Sequence, residues 1–191
     1  MKTLQSIAIV FAITTILTAC SNDNQATPVN EEELITTLTA VFTPAGGGAS
    51  ITLVYKDLDG DGPNEPVKSV SGPFAQNTIY TGVVSFKNES VSPTENLTAE
   101  IVAEAEDHQI FYQKTGTLNE FVYATNAENF DANGKPIGLQ TVFSTTTAAA
   151  GTLTISLIHL PNKSAVGVAN GDPTNAGGST DATAQFSVVV E

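Results

Sequence analysis

The chain has no arginine, no tryptophan and one cysteine, Cys20. A single cysteine excludes a disulfide within the chain, so stability must come from burial, backbone pairing or a metal. Without arginine, the seven basic side chains are all lysines, and they face twenty carboxylates for a formal net charge of −13. Such a surface repels polyanions, which argues against nucleic acid and against a basic grip on anionic lipid. It suits cations and basic partners. The lack of tryptophan weakens a carbohydrate role, since sugar sites commonly use flat aromatic platforms for stacking. Catalytic signatures are missing too: there is no Gly-x-Ser-x-Gly elbow, no His-Glu-x-x-His helix and no phosphate-cradling Gly-rich loop ending in Lys-Ser/Thr. A hydrolase using dispersed carboxylates ranks last, and the expectation is a protein that is not an enzyme.

What is present begins with the first twenty residues. Lys2 precedes an apolar run from Ile7 to Leu17, followed by Thr18-Ala19-Cys20. A charged start, a short apolar run and small residues define a secretory signal, and the run is about half the roughly 20 residues needed to span a bilayer. Leu17-Thr18-Ala19-Cys20 resembles the bacterial lipobox, which implies cleavage before Cys20, lipidation of its sulfur, and a membrane partner reached through the acyl chains. Residues 1–19 are therefore expected to be the signal peptide. Residues 20–30, small and polar with one proline, are expected to be a lipidated flexible tether, and 31–191 a single domain.

Beyond the tether the chain reads as short β-branched blocks bounded by Gly, Pro, Asn and Asp. Candidate strands are Leu34 to Phe42, Ser50 to Lys56, Val67 to Ser71, Thr78 to Lys87, Leu97 to Ala103, Gln109 to Lys114, Glu120 to Thr125, Leu139 to Thr146, Thr152 to His159 and Ala182 to Val190. In Thr152 to His159, Leu153, Ile155 and Leu157 share one face and Thr152, Thr154 and Ser156 the other, the signature of a half-buried strand. Asp131-Ala132-Asn133-Gly134 has the composition of a tight turn. Glu100 to Asp107 is the one competing helix. The fold expected is all-β, an antiparallel, immunoglobulin-like β-sandwich of about eight to nine strands.

Asp57-Leu58-Asp59-Gly60-Asp61-Gly62-Pro63-Asn64-Glu65 puts side-chain oxygens at loop positions one, three, five and nine, with glycine at six. Calcium takes about six to eight oxygens, and glycine allows the sharp bend that turns alternate side chains inward. At position twelve, where a helix-loop-helix hand has a bidentate glutamate, this chain has Lys68. The segment is therefore read as a short calcium loop between strands, with Asp57, Asp59, Asp61 and Glu65 as ligands, against the alternative of a solvated acidic turn. His108 and His159 are candidate ligands for a transition metal or haem if their strand ends converge, against the alternative of structural histidines. A long loop before the last strand offers Asp172, Asn175 and Asp181 as binding-loop candidates.

Asn30 to Thr37, Asp57 to Gly62, Asp107-His108-Gln109, His159 to Lys163 and Thr174 to Gly178 resemble a group of small lipoproteins from Bacteroidota. Some of that group carry a label likening them to type 1 periplasmic binding folds, which need two doubly wound βαβ lobes that this chain lacks. The group is similar to accessory lipoproteins that accompany TonB-dependent receptors. That resemblance implies an outer-membrane anchor, an outer-membrane receptor as partner, and capture or hand-over of a scarce nutrient. The surface-export signal of that phylum places acids directly after the lipidated cysteine, and Ser21-Asn22-Asp23-Asn24 supplies one. The protein is thus expected to be a non-enzymatic binding or accessory module stiffened by calcium, or alternatively a metal or haem acquisition protein.

Overall fold

Leu38, Ala40 and Phe42 alternate with more exposed neighbours along β1 (Thr37–Pro44), so one face of the strand is apolar and buried. The same alternation recurs in β4 (Ile79–Asn88), which buries Tyr80, Val84 and Phe86, and in β10 (Ser179–Val190), which buries Ala184, Phe186, Val188 and Val190. These are the half-buried strands that pair into sheets with one wet and one dry face. In the computed structural model, which describes residues 34–60 and 62–191, the described chain falls in one compact unit, Glu32–Glu191. Cys20, the signal peptide and the tether lie outside the described residues, as does Asp61.

Two antiparallel sheets result. The larger has the order β3-β2-β1-β4-β8-β7, built from β2 (Ile51–Lys56), β3 (Val67–Val70), β7 (Phe121–Tyr123) and β8 (Gln140–Ser144) around β1 and β4, with the two-residue β5 (Glu95–Asn96) paired to β4. The smaller has the order β10-β9-β6, with β6 (His108–Lys114) and β9 (Ala149–His159). One apolar cluster joins inner faces of both sheets, Leu38, Phe42, Leu53 and Phe86 with Ile110, Leu153, Ile155, Leu157 and Phe186. The expected all-β sandwich is therefore present, with ten strands among the described residues. Edge-to-face contacts of Phe74 with Phe42, Tyr80 and Phe143 fill one part of this core. Gly82 lets Phe42 cross it, since a Cβ there would lie 2.5 Å from that ring.

Two local expectations are corrected. Leu97 to Ala103 is not a strand: Thr98–Ala103 forms α1, a single turn that buries Ile101, entered where the Asn96 side chain accepts the Thr98 N–H. The Ala and Glu content that favours helix prevailed over the β-branched residues. β10 starts at Ser179 and not at Ala182, because the ladder to β9 continues past an irregularity at Asp181. Asp131 to Gly134 makes the expected turn, closed by a lone bridge between Phe130 and Pro136. Among the described residues no helix is long and apolar enough to cross a membrane.

Candidate metal centre

His108 opens β6 and His159 closes β9, and the antiparallel register pairs them directly. Paired residues on neighbouring strands project to the same face. Counting back by twos from Ile110 and Leu157, that face is the inner one. The two imidazoles stack there at one end of the apolar stripe, with ring centroids 4.8 Å apart and planes 13° from parallel. Both are buried, at 2% and 7% exposure.

The third member arrives through a β-bulge. Along β10, Thr180 pairs with Ile158 and Ala182 with Leu157, so Asp181 is an extra residue with no partner position on β9. Strict alternation would send its side chain to the outer face. A bulge resets the direction, and the Asp181 carboxylate is buried on the histidine side, with Oδ2 3.7 Å from His108 Nε2. His108, His159 and Asp181 each offer a ligand atom, and those atoms all lie within 4.8 Å of one another.

The surroundings fix the ring of His108. Its Nδ1 lies 3.2 Å from the Glu104 carbonyl oxygen and 3.9 Å from Glu104 Oε2. A carbonyl can only accept, so Nδ1 carries a proton and Nε2 is the basic nitrogen of the neutral ring. Nε2 then faces the Asp181 carboxylate at 3.7 Å, a lone pair and an anion placed to share a metal ion. Metal-binding histidines commonly donate their other N–H to a carbonyl or carboxylate, as Nδ1 does here.

The backbone around His159 is equally constrained. Leu160 turns the chain with φ of 51° and donates its N–H to the Asp107 carbonyl at 2.6 Å, tying the end of β9 to the start of β6. Gly178, at φ of 74°, packs so closely that a Cβ would fall 2.2 Å from the His159 carbonyl oxygen. Lys163, 6% exposed, donates to the Ala105 carbonyl at 2.5 Å and to Asp131 Oδ2 at 3.0 Å. Burial lowers its ammonium pKa, with Asp131 acting in the opposite sense. The bond to Ala105 ties the segment after β9 to the one before β6, and the pair with Asp131 adds the turn before β8.

The acidic loop between β2 and β3 behaves differently. Asp59 Oδ2 accepts from the Asn64 backbone N–H at 3.2 Å and from Asn64 Nδ2 at 2.6 Å, which hold its carboxyl below the usual range. Glu65 is exposed. Asp57 Oδ2 accepts the Tyr55 hydroxyl at 3.4 Å, while Asp57 Oδ1 is buried with no hydrogen-bond partner. Among the described residues Asp57, Asp59 and Glu65 do not form a converging group, and Asp61 lies outside those residues. Of the loop candidates before β10, Asp172 caps a short 3-10 turn by accepting from Thr174, and Asn175 donates to the Val166 carbonyl. Neither joins the histidines; Asp181 does.

Sequence reasoning named all three members of the cluster but not their union. Asp181 sits at an odd position in a stretch whose even positions, Ala182 to Val190, line the core, so its spacing pointed outward. Nothing in the residue pattern announces the bulge. Glu104, four residues before His108, is a partner that helical spacing alone could have nominated. No family model, curated protein or solved structure matches this chain.

Proposed function

We propose that the domain binds a divalent transition-metal ion through His108, His159 and Asp181, and that it does so as an outer-membrane lipoprotein anchored at Cys20 that takes up the ion for a receptor in the same membrane. The observation that carries this reading is the convergence of two buried imidazoles and one buried carboxylate within 4.8 Å. Two nitrogens and one oxygen form a borderline donor set suited to zinc, copper or iron, and three protein ligands leave a position open. An open position favours exchange of the ion over a closed structural role. A single ion fits better than haem, because rings stacked side by side do not leave room for a macrocycle between them.

The anchor and the receptor rest on the lipobox and on the resemblance described above. No step of the reading requires catalysis. The calcium loop at Asp57 to Glu65 remains a second, structural proposal, supported by the orphaned Asp57 oxygen.

Calorimetry with zinc on the soluble domain begun after Cys20 tests the first reading. One equivalent is expected to bind, and His108→Ala or His159→Ala is expected to weaken it by about a hundredfold or more. Equal zinc heats in the wild type and both variants would overturn the reading. For the second proposal, calcium heat that vanishes in the Asp59→Asn, Asp61→Asn double variant is the supporting result, and the absence of calcium heat in the wild type is the opposing one.

A further inference from the structure

A buried metal centre needs a way in, and the fold supplies one. Between the inner faces, where the end of β2 approaches the start of β10, lies a cavity of about 220 Å³ lined by Ile35, Leu38, Tyr55, Asp57, Asp181 and Ala182, among others. Asp181 therefore has a side on the cavity and a side on the histidines. Among the described residues the cavity's other acid is Asp57, whose Oδ1 no hydrogen-bond donor reaches. A buried carboxylate oxygen left without a partner is costly, and a cation at that position removes the cost. The hollow on the far side, along 103–107 and Ala132, touches none of the three ligands.

We infer that this cavity is the entrance through which a hydrated cation reaches the histidines, with Asp57 as the carboxylate that receives it and Asp181 as the one that hands it on. The inference rests on the metal-binding reading above. Size agrees with it: an ion with six waters occupies roughly 200 Å³ at about 30 Å³ per water. Sites for drug-sized ligands usually need about 300–1,000 Å³. Charge agrees as well, since two carboxylates in a partly apolar hollow repel anions. The species admitted is therefore the aqua ion, and an anionic metal chelate is turned away. Asp57 is a positioning residue on the path, not a ligand of the final complex.

Stopped-flow mixing of the full chain, held in detergent, with zinc ion reads the path directly. Asp57→Asn is expected to slow association and dissociation together by about tenfold while leaving the affinity within about threefold, whereas Glu95→Gln, exposed in β5, changes neither rate. Association in the wild type is expected to slow as ionic strength rises, because the attraction is screened. Zinc presented as its anionic nitrilotriacetate chelate is expected to load no faster than the chelate releases the ion. Unchanged rates in Asp57→Asn, salt-independent association, or direct transfer from the chelate would each overturn the entrance and leave the metal centre standing. Failure of the wild type to bind zinc at all would overturn the metal-binding reading itself.

Discussion

The loop between β2 and β3 and the corner where β6, β9 and β10 meet are both rich in ligand-type side chains, and they treat them in opposite ways. In the loop, Asp59 is held by Asn64 five residues on, and Glu65 faces water. At the corner, the two histidines are far apart in the chain yet stack at 4.8 Å, because a strand register puts them opposite each other. Asp59 and Asn64 satisfy each other locally, as Asx residues in turns do at little cost. The register and the bulge hold two imidazoles and a carboxylate together out of water, within reach of one ion.

The corner is most easily broken at Gly178. A Cβ there would collide with the His159 backbone, and a left-handed φ penalises any other residue. Gly178→Ala is expected to cost roughly 2–4 kcal/mol in denaturant unfolding and to weaken zinc binding by shifting His159. A variant with wild-type stability and zinc affinity would mean that the corner is softer than its packing implies.

A smaller effect comes from pH. The Tyr123 hydroxyl donates to the Ile110 carbonyl and accepts from the Gln109 amide, bracing the strand just after His108. Burial pushes its pKa from 10.0 up to about 12, with the Gln109 amide pulling it partly back. A folded-state pKa raised above the unfolded value means that this stabilisation is fully present below pH 10 and is lost as pH climbs toward 12. The loss is on the order of 2–3 kcal/mol. Unfolding curves at pH 9, 10.5 and 12 check it, and Tyr123→Phe should flatten the part that Tyr112, whose phenol burial also raises, does not carry.

The smallest change is expected in the loop. Asp59→Asn, at an exposed site whose hydrogen bonds stay within the loop, should move the melting temperature by no more than about 2 °C in the absence of calcium. A larger drop that calcium alone can restore would raise the loop to equal rank with the corner.

Much of the scaffold was legible because alternation is a local signal. Leu153, Ile155 and Leu157 announce a half-buried strand without knowledge of its neighbours, and β9 is where they place it. The helix at Thr98 was harder, since its six residues mix β-branched and helix-favouring types and the choice falls to Ile101 reaching the core. The candidate site was legible only as parts. His108 and His159 could be named as ligands, but their meeting depends on the register of β6 against β9, a long-range property that no spacing along one chain encodes. Asp181 depends on a single inserted residue in the ladder, which shows in hydrogen bonding and not in composition. The acidic loop is the converse case: its spacing is local and clear, and among the described residues Asp59 is held by Asn64 while Glu65 faces water.

The most direct measurement is an anomalous difference map from zinc-soaked crystals of the soluble domain, recorded at the zinc edge. The account predicts one strong peak bounded by His108 Nε2, a ring nitrogen of His159 and the Asp181 carboxylate, with zinc–nitrogen distances of about 2.0–2.1 Å. A map with no peak at that corner, or with its peak at the loop between β2 and β3, would contradict it.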